Sequence, residues 1–286
     1  MGSNVRYVKQ TPRRSSSLAF VLLLGAASLG AQGPKANLYD RLQVTASLTS
    51  VILNSSIRVD GSNGIGTDID AENDLGLASN KLEPRFAVRW RPGHRHELEL
   101  GYQFARRSAE HVLDRDITFG DSTYHAGGNV GTKLNSDLGF FVYRYAFVAK
   151  PRTQVGLSIG LGALFLDAAV DALGSGGQVQ FSESEKITGP LGSIGVYGRF
   201  LSGDRWSWEA EARYVHVSID RFGARVGEGG GAIRYAASSR VTLEGGYGLS
   251  AIKVDVAPTT SSGSGSRSGL IKYSLQNVRL GVVFIP

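Results

Sequence analysis

Cysteine is absent from the 286 residues, methionine occurs once, and long apolar runs are missing from most of the chain. Without cysteine there are no disulfides and no thiolate ligands for a metal, so stability must come from other interactions. After residue 31 no segment approaches the roughly 18 uninterrupted apolar residues of a membrane-spanning helix. These absences exclude a disulfide scaffold and a helical membrane protein.

An excess of one charge sign is also missing once the position of the charges is considered. The formal charge is +6, but four basic residues and no acidic ones lie in the first 31 residues. The rest of the chain has 27 basic and 25 acidic residues. This balance argues against a strongly basic surface, and we expect no nucleic-acid partner.

The N-terminal stretch has the layout of a secretory signal. Basic residues precede a short apolar run, and small residues follow it. This layout predicts a signal peptide over residues 1–31, cleaved near Gly30 or Ala31, with residues 32–286 as the exported domain. A pair of arginines precedes the apolar run, as in a twin-arginine signal. Three serines directly follow the arginines, however, and they favour ordinary export of an unfolded chain.

Apolar residues alternate with polar or small ones through the rest of the chain, which indicates strands with one apolar face. In the run WSWEAEARY, residues 206–214, the tryptophans, alanines and tyrosine share one face, while serine, glutamates and arginine share the other. Similar runs occur at 85–90, 97–104 and 155–162. We therefore expect an all-β protein.

Short and long connections between these strands alternate. The short ones centre near Pro92, Pro151, Gly203 and Ser239, and the long ones cover about residues 60–80, 112–129, 172–185, 220–230 and 257–268. This pattern gives ten strands with both chain ends on the short-turn side. The glycine-rich stretches GSNGIG and GEGGG are interpreted as glycines at loop tips.

The turns also predict which residues pair, because residues opposite each other in a hairpin face the same way. A three-residue turn at 92–94 pairs Val88 with Leu98 on the outer face and Arg89 with Glu97 on the inner face. The same rule pairs Phe200 with Trp206 at the turn near Gly203, and Arg234 with Glu244 at the turn near Ser239. All four short turns accept a loop of odd length, and the sequence does not distinguish three residues from five.

Together these features resemble bacterial outer-membrane β-barrel proteins, which have short periplasmic turns, longer outer loops and aromatic girdles. Trp90, Trp206 and Trp208 lie beside short turns, and apolar residues alternate from Val278 to Phe284 near the C-terminus. The resemblance implies a transmembrane antiparallel up-and-down barrel of ten strands, or eight if the first or eighth run is not a strand. It also implies an outer-membrane location, a monomer, and membrane lipid, lipopolysaccharide and the barrel assembly machinery as partners.

The inward face of the predicted barrel carries charges of both signs. They are Arg85, Arg89, Arg91, Glu97, Glu99, Arg144, Arg199, Glu209, Glu211, Arg213, Arg234, Glu244 and Arg279. At cross-strand distance such groups form ion pairs that fill the barrel, and this is the interpretation we favour. The alternative is a narrow passive path for small solutes lined by the same groups.

The first long loop places four carboxylates on alternate positions, at Asp68, Asp70, Glu72 and Asp74. Closely spaced carboxylates can bind Ca²⁺, but the glycine and the final glutamate of an EF-hand loop are missing. The pattern favours a solvated acidic loop, with a weak divalent-ion site as the alternative. No phosphate loop, zinc constellation or haem motif occurs, so we expect no cofactor and no dedicated metal centre.

Two stretches resemble outer-membrane hydrolases. His216 and Ser218, with Glu228 as the acid, are similar to the catalytic motif of lipid A deacylases, although the residues that should follow the serine differ. A second resemblance is to the omptins, ten-stranded proteases with an aspartate pair facing an Asp-His pair. For the omptin resemblance the candidate residues are Asp68, Asp70, His216 and Asp220.

The function that these observations favour is non-enzymatic: a structural or surface-binding membrane protein that presents its long loops outside. A narrow passive pore is the second hypothesis, and an outer-leaflet hydrolase of the deacylase or omptin type is the third.

Overall fold

The computed structural model describes residues 34–173, 178–219, 222–257 and 268–286, and the predicted signal peptide at 1–31 lies outside them. All regular structure in the described part of the chain is β-structure. No helix among these residues is long and apolar enough to cross a membrane. The fourteen strands are β1 (Leu42–Val59), β2 (Ile69–Asp70), β3 (Asn80–Gly93), β4 (His96–Gln103), β5 (Arg106–Val112), β6 (Ile117–Phe119), β7 (Ser122–Tyr124), β8 (Asn129–Lys150), β9 (Thr153–Leu173), β10 (Val179–Ser202), β11 (Trp206–Ile219), β12 (Phe222–Ala236), β13 (Val241–Val256) and β14 (Gly269–Phe284).

Ten barrel strands form one closed antiparallel sheet. Consecutive long strands pair around the barrel, and β4 and β5 together make the third barrel strand against β8. The sheet closes because β14 pairs with β1 from Val44 opposite Phe284 to Val59 opposite Gly269. The ten-strand prediction is confirmed, and the eight-strand alternative is wrong because β1 and β12 are each paired on both sides.

The outer surface of the barrel is apolar around its circumference. Large side chains such as Leu280, Phe284 and Trp206 remain exposed on the outward face, while the residues between them face the interior. A membrane-spanning strand needs about 9–11 residues, whereas β10 has 24. The strands therefore extend beyond the membrane band. We call the end with the short turns the inner end, and the opposite one the outer end.

Of the three registers predicted at the short turns, one is correct and two are shifted. Arg234 lies opposite Glu244, as predicted. Arg89 lies opposite Glu99 rather than Glu97, and Val88 opposite Leu100. An irregularity between Trp90 and Gly93 moves the turn by one residue, which shifts the pairing by two and preserves the face of every side chain. The same two-residue shift places Phe200 opposite Trp208.

One predicted long loop, 220–230, is mostly strand. β11 ends at Ile219 and β12 begins at Phe222, and most of the predicted loop at 172–185 also belongs to strands. The glycines of GEGGG therefore lie within β12 rather than at a loop tip. A Cβ atom at Gly230 would lie 2.6 Å from the carbonyl oxygen of Tyr247, so glycine allows neighbouring strands to approach closely here.

Candidate functional site in the barrel interior

The inner half of the barrel interior is filled by charged side chains. Glu97 on β4 is almost fully buried and is held by four arginines from three other strands. Arg199 donates to it at 2.6 and 2.8 Å, Arg144 at 3.1 Å, Arg89 lies 3.3 Å away, and Arg91 also pairs with it. Because β4, β3, β8 and β10 all contribute, this carboxylate connects distant parts of the barrel wall.

Glu99 and Glu209 extend the same arrangement across the lumen. Glu99 pairs with Arg89 at 2.9 Å and with Arg144 at 2.8 Å. Glu209 lies 3.0 Å from Arg199 and 3.3 Å from Arg234. Each carboxylate thus has more than one cationic partner, which offsets the large desolvation penalty of burying these charges.

All thirteen predicted lumen charges belong to this arrangement, together with Glu228, which pairs with Arg213 at 2.8 Å. We call the set the ion-pair network. Its members are Arg85, Arg89, Arg91, Arg144, Arg199, Arg213, Arg234, Arg279, Glu97, Glu99, Glu209, Glu211, Glu228 and Glu244. The network has eight arginines and six glutamates, so opposite charges nearly balance.

Above the network lies a central cavity of about 180 Å³. Arg85, Arg213 and Arg279 of the network line it, together with Gly160 and Gly230. Pockets for drug-sized ligands are usually about 300–1,000 Å³. The cavity is smaller than that but large enough to hold a cluster of water molecules.

The outer half of the interior is apolar, which the sequence analysis did not predict. The loops 60–79 and 113–128 fold into the outer end of the barrel and bury Ile69, Leu75 and Phe119. We call the resulting cluster the outer core. Its buried members are Val51, Leu53, Ile57, Val59, Ile69, Ala71, Leu75, Leu77, Leu113, Ile117, Phe119, Tyr124, Val130, Leu134, Leu166, Ala168, Val170, Ile271 and Tyr273. The alternating apolar residues within these loops were the available signal.

A segment before the first strand crosses the inner end. The backbone N–H of Ala36 donates to the carbonyl of Asp204 at 2.6 Å, and the Tyr39 hydroxyl donates to that of Lys150 at 2.8 Å. The Tyr39 ring also packs edge-on against His94 at 5.4 Å between centroids. The segment therefore contacts three short turns below the ion-pair network.

The four predicted ion-binding carboxylates have separate partners. Asp68 accepts from Ser56, Asp70 from Asn73, Glu72 from Arg107, and Asp74 from Arg115. No group of three or more acidic, histidine or cysteine side chains within the described ranges is placed to hold a metal ion. The Arg115 guanidinium, bound at 3.0 Å, holds the pKa of Asp74 below its usual value.

No protein-family model and no curated protein matches the chain. Among solved structures, the outer membrane protease OmpT from Escherichia coli matches with a TM-score of 0.54 and 9% identity, over 87% of this chain and 98% of OmpT. The chain has the bacterial outer-membrane β-barrel fold.

Two further barrels match with lower structural similarity. The Pseudomonas putida toluene transporter TodX has 10% identity and a TM-score of 0.34, over 86% of this chain and 90% of TodX. Ail, the attachment invasion locus protein of Yersinia pestis, has 10% identity and a TM-score of 0.31, over 85% of this chain and 99% of Ail. At 9% identity the likeness to OmpT shows the fold alone.

The hydrolase candidates occupy two faces of this outer-membrane β-barrel. His216 and Ser218 are exposed and share the outward face of Tyr214 on β11. Glu228 points inward and pairs with Arg213. The structure therefore does not bring the histidine, the serine and the glutamate together.

The omptin-like candidates are also separated along the sheet. Asp68 contacts Ser56 on β1 and lies 3.8 Å from Lys272 on β14, whereas His216 lies opposite Arg225 on β12. Asp220, the fourth candidate, lies outside the described residues.

Proposed function

We propose that this chain is a closed, non-enzymatic barrel of the outer membrane that anchors a structured outer surface and does not conduct solutes. The observation that carries the proposal is the filling of the lumen by two consecutive layers. The ion-pair network occupies the inner half, and the outer core, in which two loops pack against the inward face of the strands, occupies the outer half. The small cavity between them offers no porin-scale channel.

The outer surface is held in one arrangement by contacts between the two loops of the outer core. The N–H of Thr67 donates to the carbonyl of Thr118 at 3.0 Å, and the N–H of Ser62 donates to the Asp121 carboxylate at 2.6 Å. Arg115 joins the loops again through Asp74. A surface ordered before binding loses less conformational entropy when it binds a partner, which supports a surface-binding role.

Conductance in planar bilayers tests the closed lumen. We expect the refolded wild-type barrel to give no stable openings under conditions in which an open porin, reconstituted in parallel, conducts. Stable openings of porin size would overturn the proposal and favour passive transport. Insertion is checked independently by the shift in mobility between heated and unheated samples on a gel.

The enzyme alternatives need a separate assay because OmpT is a protease. Purified barrel is incubated with a dibasic peptide and with lipid A, and both substrates are expected to remain intact. Peptide cleavage or loss of an acyl chain would contradict the non-enzymatic role. A His216→Ala variant would then show whether the activity depends on the outward face of β11.

A further inference from the structure

Three cationic side chains lie in one row across neighbouring strands of the outer surface. Arg225 on β12 is directly opposite Lys253 on β13, and Lys253 is directly opposite Lys272 on β14. His216 on β11 lies opposite Arg225 and continues the row. All four side chains are exposed. We call Arg225, Lys253 and Lys272 the basic row.

Like charges at directly opposed positions destabilise a sheet, because their Cβ atoms are only about 4.5–5.5 Å apart. The basic row is therefore unfavourable unless anions neutralise it. Its own carboxylates do so weakly: Asp255 lies 3.9 Å from Lys253, and Asp68 lies 3.8 Å from Lys272. Within the described part of the chain, no carboxylate forms an ion pair with Arg225.

Basic residues elsewhere near the outer end are arranged differently. Lys133 pairs with Asp167 at 3.2 Å, and Lys186 lies directly opposite the same aspartate. Arg106 pairs with Asp137 at 2.7 Å. Lys133 and Arg106 thus form ion pairs of 3.2 Å or less, whereas in the basic row the carboxylates of Lys253 and Lys272 lie at 3.9 and 3.8 Å. The positive charge of the β12–β14 face is therefore the more weakly compensated.

The surface directly below the basic row is apolar and shallow. Gly227 and Gly229 face outward on β12, and Ala212 lies opposite Gly229 on β11. A Cβ atom at Gly229 would meet nothing within 4 Å, so the space above it is open. The exposed side chains of Tyr214 and Leu249 border this trough.

A cationic row above an apolar trough at the membrane boundary matches an amphiphile with an anionic head and acyl chains. We propose that the basic row binds the phosphate groups of a phosphorylated glycolipid of the outer leaflet, with an acyl chain lying along the trough of β12. This site goes beyond the proposed function. It requires the barrel to lie in the membrane but does not depend on a closed lumen.

The test compares two double variants that each remove two outer-end cations. Arg225→Gln/Lys253→Gln changes the basic row, and Lys133→Gln/Lys186→Gln is the matched control from the opposite face. Each protein is titrated in detergent with diphosphorylated lipid A and with dephosphorylated lipid A, and bound lipid is counted by native mass spectrometry. We expect the row variant to bind diphosphorylated lipid A about thirtyfold more weakly than wild type, since each cation near an anionic surface contributes about 1 kcal/mol.

The control variant is expected to bind within about twofold of wild type, and the wild type to prefer the phosphorylated lipid. Equal weakening in both variants, or equal binding of dephosphorylated lipid A, would overturn the proposal. Diphosphorylated lipid A should also raise the thermal midpoint of unfolding of the wild type. Inorganic phosphate at the same phosphate concentration should not reproduce this increase. If it does, the row binds a free ion and the lipid assignment is wrong.

Stability without lipid distinguishes a binding row from a structural one. Arg225→Gln/Lys253→Gln removes a like-charge repulsion, so the lipid-free variant should unfold at or above the temperature of wild type. A lower midpoint would mean that these cations stabilise the sheet themselves and would contradict the proposal. Gly229→Leu tests the trough: it leaves the row intact and should weaken lipid A binding several-fold by filling the space for the acyl chain.

Discussion

The two halves of the barrel interior face the same problem of filling space and solve it with different chemistry. In the inner half, long charged side chains of the strands meet across the lumen, and Glu97 alone contacts four arginines. In the outer half, apolar residues such as Leu75 and Phe119 come from loops that fold back into the barrel. The inner filling thus depends on charge partners around the whole wall, whereas the outer filling depends on two loops.

This difference predicts how the stability of each half responds to substitution. Removing one partner of a buried ion pair leaves an uncompensated charge, which is much more unfavourable than losing the pair itself. Removing apolar volume has a graded effect that depends on how far the surroundings relax. Loops also open locally more readily than strands that are paired on both sides. Substitutions in the two halves should therefore differ in how much they lower the free energy of unfolding and in how much of the barrel they open.

The largest effect is expected for Glu97→Gln. This change leaves Arg91, Arg144 and Arg199 buried with one carboxylate fewer and should lower the free energy of unfolding by about 3–5 kcal/mol. Urea unfolding of the barrel in lipid vesicles measures it. Glu228→Gln is the matched control, because its partner is only partly buried. A loss for Glu97→Gln no larger than for this control would mean that the network is not a coupled unit.

Leu75→Ala should affect only the outer half. The side chain is 2% exposed, and its truncation should destabilise the outer core by about 3 kcal/mol. We expect loops 60–79 and 113–128 to become sensitive to protease while the gel mobility shift of the folded barrel persists. Ile65→Ala, at a position 61% exposed in the same loop, is the control and should change neither property. Loss of the gel shift would contradict a locally opening outer half.

The same difference explains how much the sequence could predict. Alternation is a local property of strands, so it identified the ten strands and the inward face of every network arginine. Alternation does not reveal the inward face of Glu228, because the glycines around it resemble a loop tip, whereas in the structure they belong to β12. The outer core depends on two loops folding into the barrel, a tertiary event that the short alternating apolar pairs within the loops do not specify by themselves. The bulge near Trp90 likewise changed the register without changing the alternation.

Tyr124→Phe tests a single polar contact within the outer core. The hydroxyl donates to the carbonyl of Val170 at 2.7 Å, and its loss should destabilise the outer half by about 1 kcal/mol. Burial raises the pKa of Tyr124 to about 12. Because the folded pKa is raised, this contribution should be complete below about pH 10, the usual tyrosine value, and disappear as the pH rises towards 12. A stability profile over this range that is identical in wild type and variant would contradict the assignment.

The smallest effect is expected for the tie between the two loops, Asp74 with Arg115. Both groups are partly exposed, so Asp74→Asn should lower the stability of the outer half at neutral pH by only a few tenths of a kcal/mol. The lowered pKa of Asp74 means that its contribution is present above the usual aspartate pKa and is lost as the pH falls through the folded value. Protease sensitivity of the loops, followed from pH 7 into acid, should therefore rise more in wild type than in Asp74→Asn.

Arg115→Gln should match Asp74→Asn, and the double variant should add little, because all three remove the same pair. Additive losses would show that each residue acts through other contacts, and the loops would then be held together mainly by the apolar outer core.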